Sequence, residues 1–119
     1  MKNLNIIRAK SAFSAAQDTY CGKNGGELAK KLPPRIMNSG LIQALAFASA
    51  SENENEIKLY EKIKEYLQSK DVAVLDPNDK KRSLLEIMLD SDSRKVALAT
   101  RETLAWLSFF RRFAKKGGE

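Results

Sequence analysis

Val72-Ala73-Val74-Leu75 is the one run in this chain that spells a β-strand, and no second run can pair with it. A lone strand leaves a row of backbone donors and acceptors without partners. The run therefore reads as a packed loop, stopped by Asp76-Pro77-Asn78-Asp79. The longer apolar segments recur at spacings of three and four, which is helical periodicity. The expected fold is all-α: a single compact bundle of about five to six helices over residues 1–119, with a flexible tail at about 116–119. A chain of 119 residues buries roughly two thirds of its unfolded surface, enough for a core without metal or disulfide.

Ile6, Ala9, Phe13, Ala16 and Tyr20 form one stripe of a first helix over 4–20. Cys21 to Gly26 contains three glycines and ends it, with Cys21 as a helix-end packing residue. A short helical piece over 27–31 precedes Leu32-Pro33-Pro34, which reads as a break. Proline suits a first helical turn, where its missing N–H is no loss. The second main helix is thus expected from Pro34 to about Ser51. Its apolar residues (Ile36, Met37, Leu41, Ile42 and Ala44 to Ala48) cover most of its circumference and mark a buried central helix. Gly40 inside it costs about 1 kcal/mol relative to alanine, with close approach of a neighbouring helix as the expected compensation. A helix over 54–69 turns Ile57, Tyr60, Ile63 and Leu67 inward and Glu61, Lys62, Lys64 and Glu65 to solvent. A shorter one over 80–90 turns Leu84, Leu85, Met88 and Leu89 inward. Ser91-Asp92-Ser93 can cap the final helix, over 93–115.

That final helix has two distinct sides. At 100° per residue, Val96, Ala99, Thr103, Leu107, Phe110 and Ala114 share one side, widened by Trp106 and Phe113. Arg94, Arg101, Arg112 and Lys115 share the other. Charge is uneven along the whole chain. Residues 1–35 hold seven cations against two acids, residues 36–92 seven against eleven, and residues 93–119 seven against two. Basic ends and an acidic middle suit a polyanion partner and the stacking of subunits through opposite faces. They equally suit a mixed solvated surface, in which the arginines solvate an exposed helix or pair with acids from residues 52–65.

Several chemistries have no residues to carry them. The chain has no histidine, which removes the commonest neutral-pH acid–base catalyst and most catalytic zinc sites. One cysteine supports neither an internal disulfide nor a cysteine-rich metal site. Gly22 to Gly26 lacks the lysine–hydroxyl pair of a phosphate loop. Glu52/Glu54/Glu56 and Asp90/Asp92 read as helix-start acids rather than a metal site. The expectation is no enzyme, no cofactor and no metal. The N-terminus lacks a signal-peptide core, and no run approaches the roughly 20 apolar residues of a membrane span. A cytoplasmic protein without membrane attachment is expected.

Two stretches carry a family resemblance. Residues Leu32-Pro33-Pro34-Arg35-Ile36-Met37-Asn38-Ser39-Gly40-Leu41-Ile42-Gln43-Ala44-Leu45-Ala46-Phe47 resemble the central signature of the small helical subunit of type III-B CRISPR effector complexes, the Cmr complexes. Ala99-Thr100-Arg101-Glu102-Thr103-Leu104-Ala105-Trp106-Leu107-Ser108-Phe109-Phe110-Arg111-Arg112-Phe113-Ala114 is similar to that family's closing helix. Residues 52–90 are the least distinctive, and Ile42 stands where glycine is common in the family.

The resemblance implies an all-α, non-catalytic subunit. Copies would stack head to tail beside the backbone and large subunits and line the groove for guide and target RNA. Guide–target pairing would supply the sequence recognition, leaving this subunit sequence-independent electrostatics. The candidate RNA contacts are Arg94, Arg101, Arg111, Arg112 and Lys115, followed by Arg8, Lys10, Lys30, Lys31 and Arg35. Pro34, Asn38, Gly40, Gln43, Phe47 and Trp106 form the structural signature. Of these, Asn38, Gly40 and Gln43 are expected to pack or hydrogen-bond, and Trp106 to anchor the core. Aromatic residues in general are expected in the core rather than as stacking platforms. Two other classes fit the residues alone: a free-standing basic helical DNA-binding protein, and an adaptor whose basic face docks an acidic protein.

Overall fold

The computed structural model describes residues 3–18, 27–51 and 53–117, with side chains described for all of these except Asp18, Glu27 and residues 115–117. The described residues form six helices and no strand: α1 (Leu4–Asp18), α2 (Glu27–Ser39), α3 (Leu41–Ser51), α4 (Glu54–Gln68), α5 (Leu84–Leu89) and α6 (Ser93–Gly117). Expectations placed on Tyr20, on Cys21 and the glycine turn through Gly26, and on Gly118 and Glu119 lie outside the described residues. Lys116 and Gly117, expected in the tail, fall within the bounds of α6.

The long amphipathic α6 organises the packing. Ala99, Thr103, Trp106, Leu107 and Phe110 are fully buried, as their shared face requires. The indole of Trp106 lies 5.0 Å from the Phe110 ring, nearly parallel to it, and 6.2 Å from Tyr66. Helix α1 lies against this face, but not through the stripe its large side chains suggest. Ile6 and Phe13 are more than half exposed, whereas Ala12 and Ala15 are buried. The short side chains let the two helices approach, and three hydrogen bonds then cross the interface. The Trp106 indole N–H donates to Ser11 Oγ at 2.9 Å, and Arg8 reaches Glu102. Phe13 instead meets Phe113 edge-on at the rim of the interface.

The Leu32-Pro33-Pro34 break is absent. Helix α2 continues through both prolines, although neither can donate to the carbonyl four residues before it. Ala29, Leu32 and Ile36, all fully buried or within 1% of it, hold the helix together against that loss. The chain breaks at Gly40 instead. Gly40 has φ +87°, and its N–H donates to the Ile36 carbonyl at 2.8 Å, the left-handed cap that ends a helix. Its carbonyl accepts from Ala44 N–H, so the same residue opens α3. The expected close approach of a neighbour is not the reason for this glycine, since an added Cβ would meet nothing within 4 Å. Backbone conformation selects it.

The expected central helix is correspondingly one-sided. Leu41, Ala44, Leu45 and Ala48 are buried, but Phe47 is 54% exposed, and Met37 on α2 is 72% exposed. In α4, Tyr60, Ile63 and Leu67 are buried as expected, and Leu59 and Tyr66 join them, but Ile57, expected to turn inward, is exposed. Asn53 caps α4 by accepting from the N–H groups of Asn55 and Glu56. Residues 72–75 form the expected loop. The Val74 and Leu75 N–H groups both donate to the Leu67 carbonyl, and Leu75 is buried. The buried Gln68 side chain donates to the carbonyls of Asp76 and Asp79, which pins the turn. Helix α5 is shorter than expected because Ser83 and Glu86 form a reciprocal capping box at its start. Leu84, Ile87 and Met88 point inward, but Leu89 is 66% exposed. Asp92 caps α6 by accepting from Lys95 N–H at 2.8 Å.

Candidate nucleic-acid interface

The buried face of α6 fixes what its other face presents. Arg94, Lys95, Arg101, Arg111 and Arg112 are all exposed, and none forms an ion pair with a described residue. Arg94 and Arg112 share one angular position, about 27 Å apart along the helix. The row is not continuous. Between Arg101 and Arg111 the outer surface is Ser108 with half-buried Ala105 and Phe109, so the cations form two groups at the two ends of the helix. Lys95 was not among the sequence candidates; its place beside Arg94 in the first turn is the signal for it. The side chain of Lys115 lies outside the description.

Glu102, next to Arg101, shows why the surface carries arginine and not an alternation of charge. Its carboxylate points inward and is 5% exposed. It accepts from Arg8 Nε at 3.0 Å, from Arg8 Nη2 at 2.6 Å and from the Tyr66 hydroxyl at 2.9 Å. The Arg8 hydrogen bonds hold Glu102 below the usual glutamate range, against the opposing effect of desolvation. Glu102 in turn raises Arg8 above the usual arginine value. Burial, and then the bond to Glu102, push the Tyr66 hydroxyl up. The one acid in the middle of α6 is thus consumed inside the bundle.

The second-rank candidates divide. Lys10, Lys30 and Lys31 are exposed. Arg8 is committed to Glu102 and also donates to Asn5, so it serves the fold. Arg35 pairs with buried Glu56 at 3.1 Å, and its guanidinium carbon stands 4.1 Å from the centre of the Phe47 ring. The acids of residues 52–65 therefore take Arg35, not the arginines of α6. Asn38, Gly40 and Gln43, expected to pack or hydrogen-bond, are exposed, and the side chains of Asn38 and Gln43 bond to no described residue. Pro34 is also exposed, and of the signature only Trp106 anchors the core. Among the described residues no group of three or more histidine, cysteine, aspartate or glutamate side chains could hold a metal ion. No described helix is long and apolar enough to cross a membrane.

These features define a small all-α protein whose exterior is distinguished by unpaired arginines on its longest helix. Residues 5–116 match the family model described as CRISPR-associated protein (Cas_Cmr5), and the chain belongs to that family. It is similar to the CRISPR system Cmr subunit Cmr5 of Thermus thermophilus, at 28% identity over 118 residues, covering 97% of this chain and 96% of the relative. The crystal structure of a CRISPR-associated Cmr5 family protein from the same organism superimposes with a TM-score of 0.72 at 27% identity, covering 97% of each chain. This is the family that residues 32–47 and 99–114 resemble.

Proposed function

We propose that the chain is the non-catalytic small structural subunit of a type III-B Cmr ribonucleoprotein. Copies stack as a filament beside the backbone and large subunits, in the cytoplasm, and line the groove that takes guide and target RNA. The observation that carries this reading is the set of unpaired, exposed arginines on α6, at Arg94, Arg101, Arg111 and Arg112. Lys115 continues the row in sequence, and Lys10, Lys30 and Lys31 add weaker contacts. Exposed arginines meet phosphates and release counterions without reading bases. Stacking copies head to tail needs two different surfaces on each copy, and basic ends with an acidic middle supply opposite charge for it. The Thermus thermophilus relative is itself named a Cmr subunit, which supports the assembly.

The test is the double variant Arg101→Glu, Arg112→Glu. Both side chains are exposed, so helical content and melting temperature should not change. RNA loading by the assembled complex should fall, most steeply at low salt. Unchanged binding across a salt titration would remove α6 from the interface. The isolated chain should bind RNA only weakly, at about 10⁻⁴ to 10⁻⁶ M. Tight binding of one defined sequence, or a footprint on duplex DNA, would contradict the assembly reading.

A further inference from the structure

The hairpin of α2 and α3 carries an aromatic ring that the core does not use. Phe47 is 54% exposed, and Arg35 covers one face of its ring at 4.1 Å. Arg35 is itself anchored by Glu56, a carboxylate only 4% exposed. A cation–π contact of this kind, tied to a buried acid, holds the ring in one orientation.

What surrounds the ring decides what it suits. One turn away on α3 lie Gln43, Ala50 and Ser51, all exposed and none large. On α2, Lys31 and Asn38 lie one turn either side of Arg35 and are also exposed. Met37, two residues beyond Arg35, points about 200° around the helix and does not join them. Phe47 is therefore the only large apolar side chain among the exposed residues of α3. From Leu28 to Ser51 the only ionic side chains are Lys30, Lys31 and Arg35, and Arg35 is paired with Glu56. An exposed ring backed by an arginine is an arrangement that can stack a base of single-stranded nucleic acid.

We propose that Phe47, backed by Arg35, is a stacking site for one unpaired base of single-stranded RNA, with the Gln43 amide placed to meet the edge of that base. The inference rests on the RNA-binding reading and adds a second contact to it, on a different element and of different physical origin. Phosphate contacts on α6 depend on salt. Stacking on Phe47 does not.

That difference supplies the test. The full-length chain is titrated with single-stranded RNA carrying 2-aminopurine, over a range of salt, as wild type, Phe47→Leu and Arg101→Gln. Leucine keeps the apolar bulk at an exposed position and removes the π face, so the variant folds. Wild type should quench the 2-aminopurine. Phe47→Leu should lose the quench and bind about five- to a hundredfold more weakly, with the salt slope unchanged. Arg101→Gln should keep the quench and lower the slope by about 0.7. If Arg101→Gln behaves so while Phe47→Leu matches wild type, the stacking site is wrong and the RNA reading stands. No binding by wild type overturns both. Wild-type RNA behaviour in Phe47→Leu with loss of co-purifying protein subunits would make the hairpin a protein contact and overturn the proposal.

Discussion

Replacing Arg8 by methionine removes a charge and three hydrogen bonds, two of them to Glu102, while keeping most of the side-chain volume. Glu102 would be left 5% exposed with only the Tyr66 hydroxyl as donor. Breaking a buried pair by deleting one partner costs about 3–5 kcal/mol, because the remaining charge stays desolvated. The Arg8 side chain keeps 17% of its surface in water, so solvent can reach the gap and the lower end, about 3 kcal/mol, is expected. For a chain of this length that is roughly 10–15 °C in melting temperature. The pH dependence separates this cause from simple loss of packing. In the wild type Glu102 titrates below its unfolded value, held down chiefly by the Arg8 hydrogen bonds. Its contribution is fully present above the ordinary glutamate range and is lost as pH falls through the depressed folded value. In Arg8→Met, desolvation pushes the same carboxyl up, and protonation relieves the unpaired charge. The stability gap between the two proteins should narrow as pH falls from about 7 to about 4. Urea unfolding at both pH values, followed by tryptophan fluorescence and far-ultraviolet circular dichroism, measures it. Arg8→Met with Glu102→Gln should recover much of the loss. A gap below about 1 kcal/mol at neutral pH, or one that stays constant on acidification, would refute the reasoning.

Two further changes probe the backbone and the core. Gly40→Ala should cost about 1–2 kcal/mol in a thermal melt although nothing crowds the site, because alanine resists a φ of +87°; Gly40→Asn should cost less. Trp106→Phe removes the N–H donated to Ser11 and leaves a void in a fully buried position, for about 2 kcal/mol in urea unfolding monitored by circular dichroism.

The sequence spoke most clearly where one physical effect dominated. In α6 the apolar residues are large, regularly spaced and opposed by arginines, so both its faces were legible. The 72–75 loop was legible because a strand without a partner is not a stable option. Misreadings arose where effects competed. Pro33 and Pro34 argue locally for a break, but the buried side chains of Ala29, Leu32 and Ile36 outweigh that preference. In α1, size misled: Phe13 is the largest residue, yet the small Ala12 and Ala15 set the interface because α6 fills that space with Trp106. The same bias made Phe47 look like core. Arg8 and Arg35 could not be told from surface cations, because their carboxylate partners Glu102 and Glu56 lie 94 and 21 residues away.

The pairing of α1 with α6 has a consequence for how the protein is made. Trp106 and Ser11 are 95 residues apart, as are Arg8 and Glu102 to within one position. The ribosome releases α1 long before its partner exists. Until α6 emerges, α1 lacks the helix it packs against most extensively, and Arg8 lacks the Glu102 carboxylate. Helices α2 to α5 can associate locally, but final docking waits on the synthesis and release of α6, a high-contact-order step in an otherwise local fold. Nascent chains arrested before residue 106 should therefore remain accessible to protease along α1, and protection should appear only once α6 has cleared the exit tunnel.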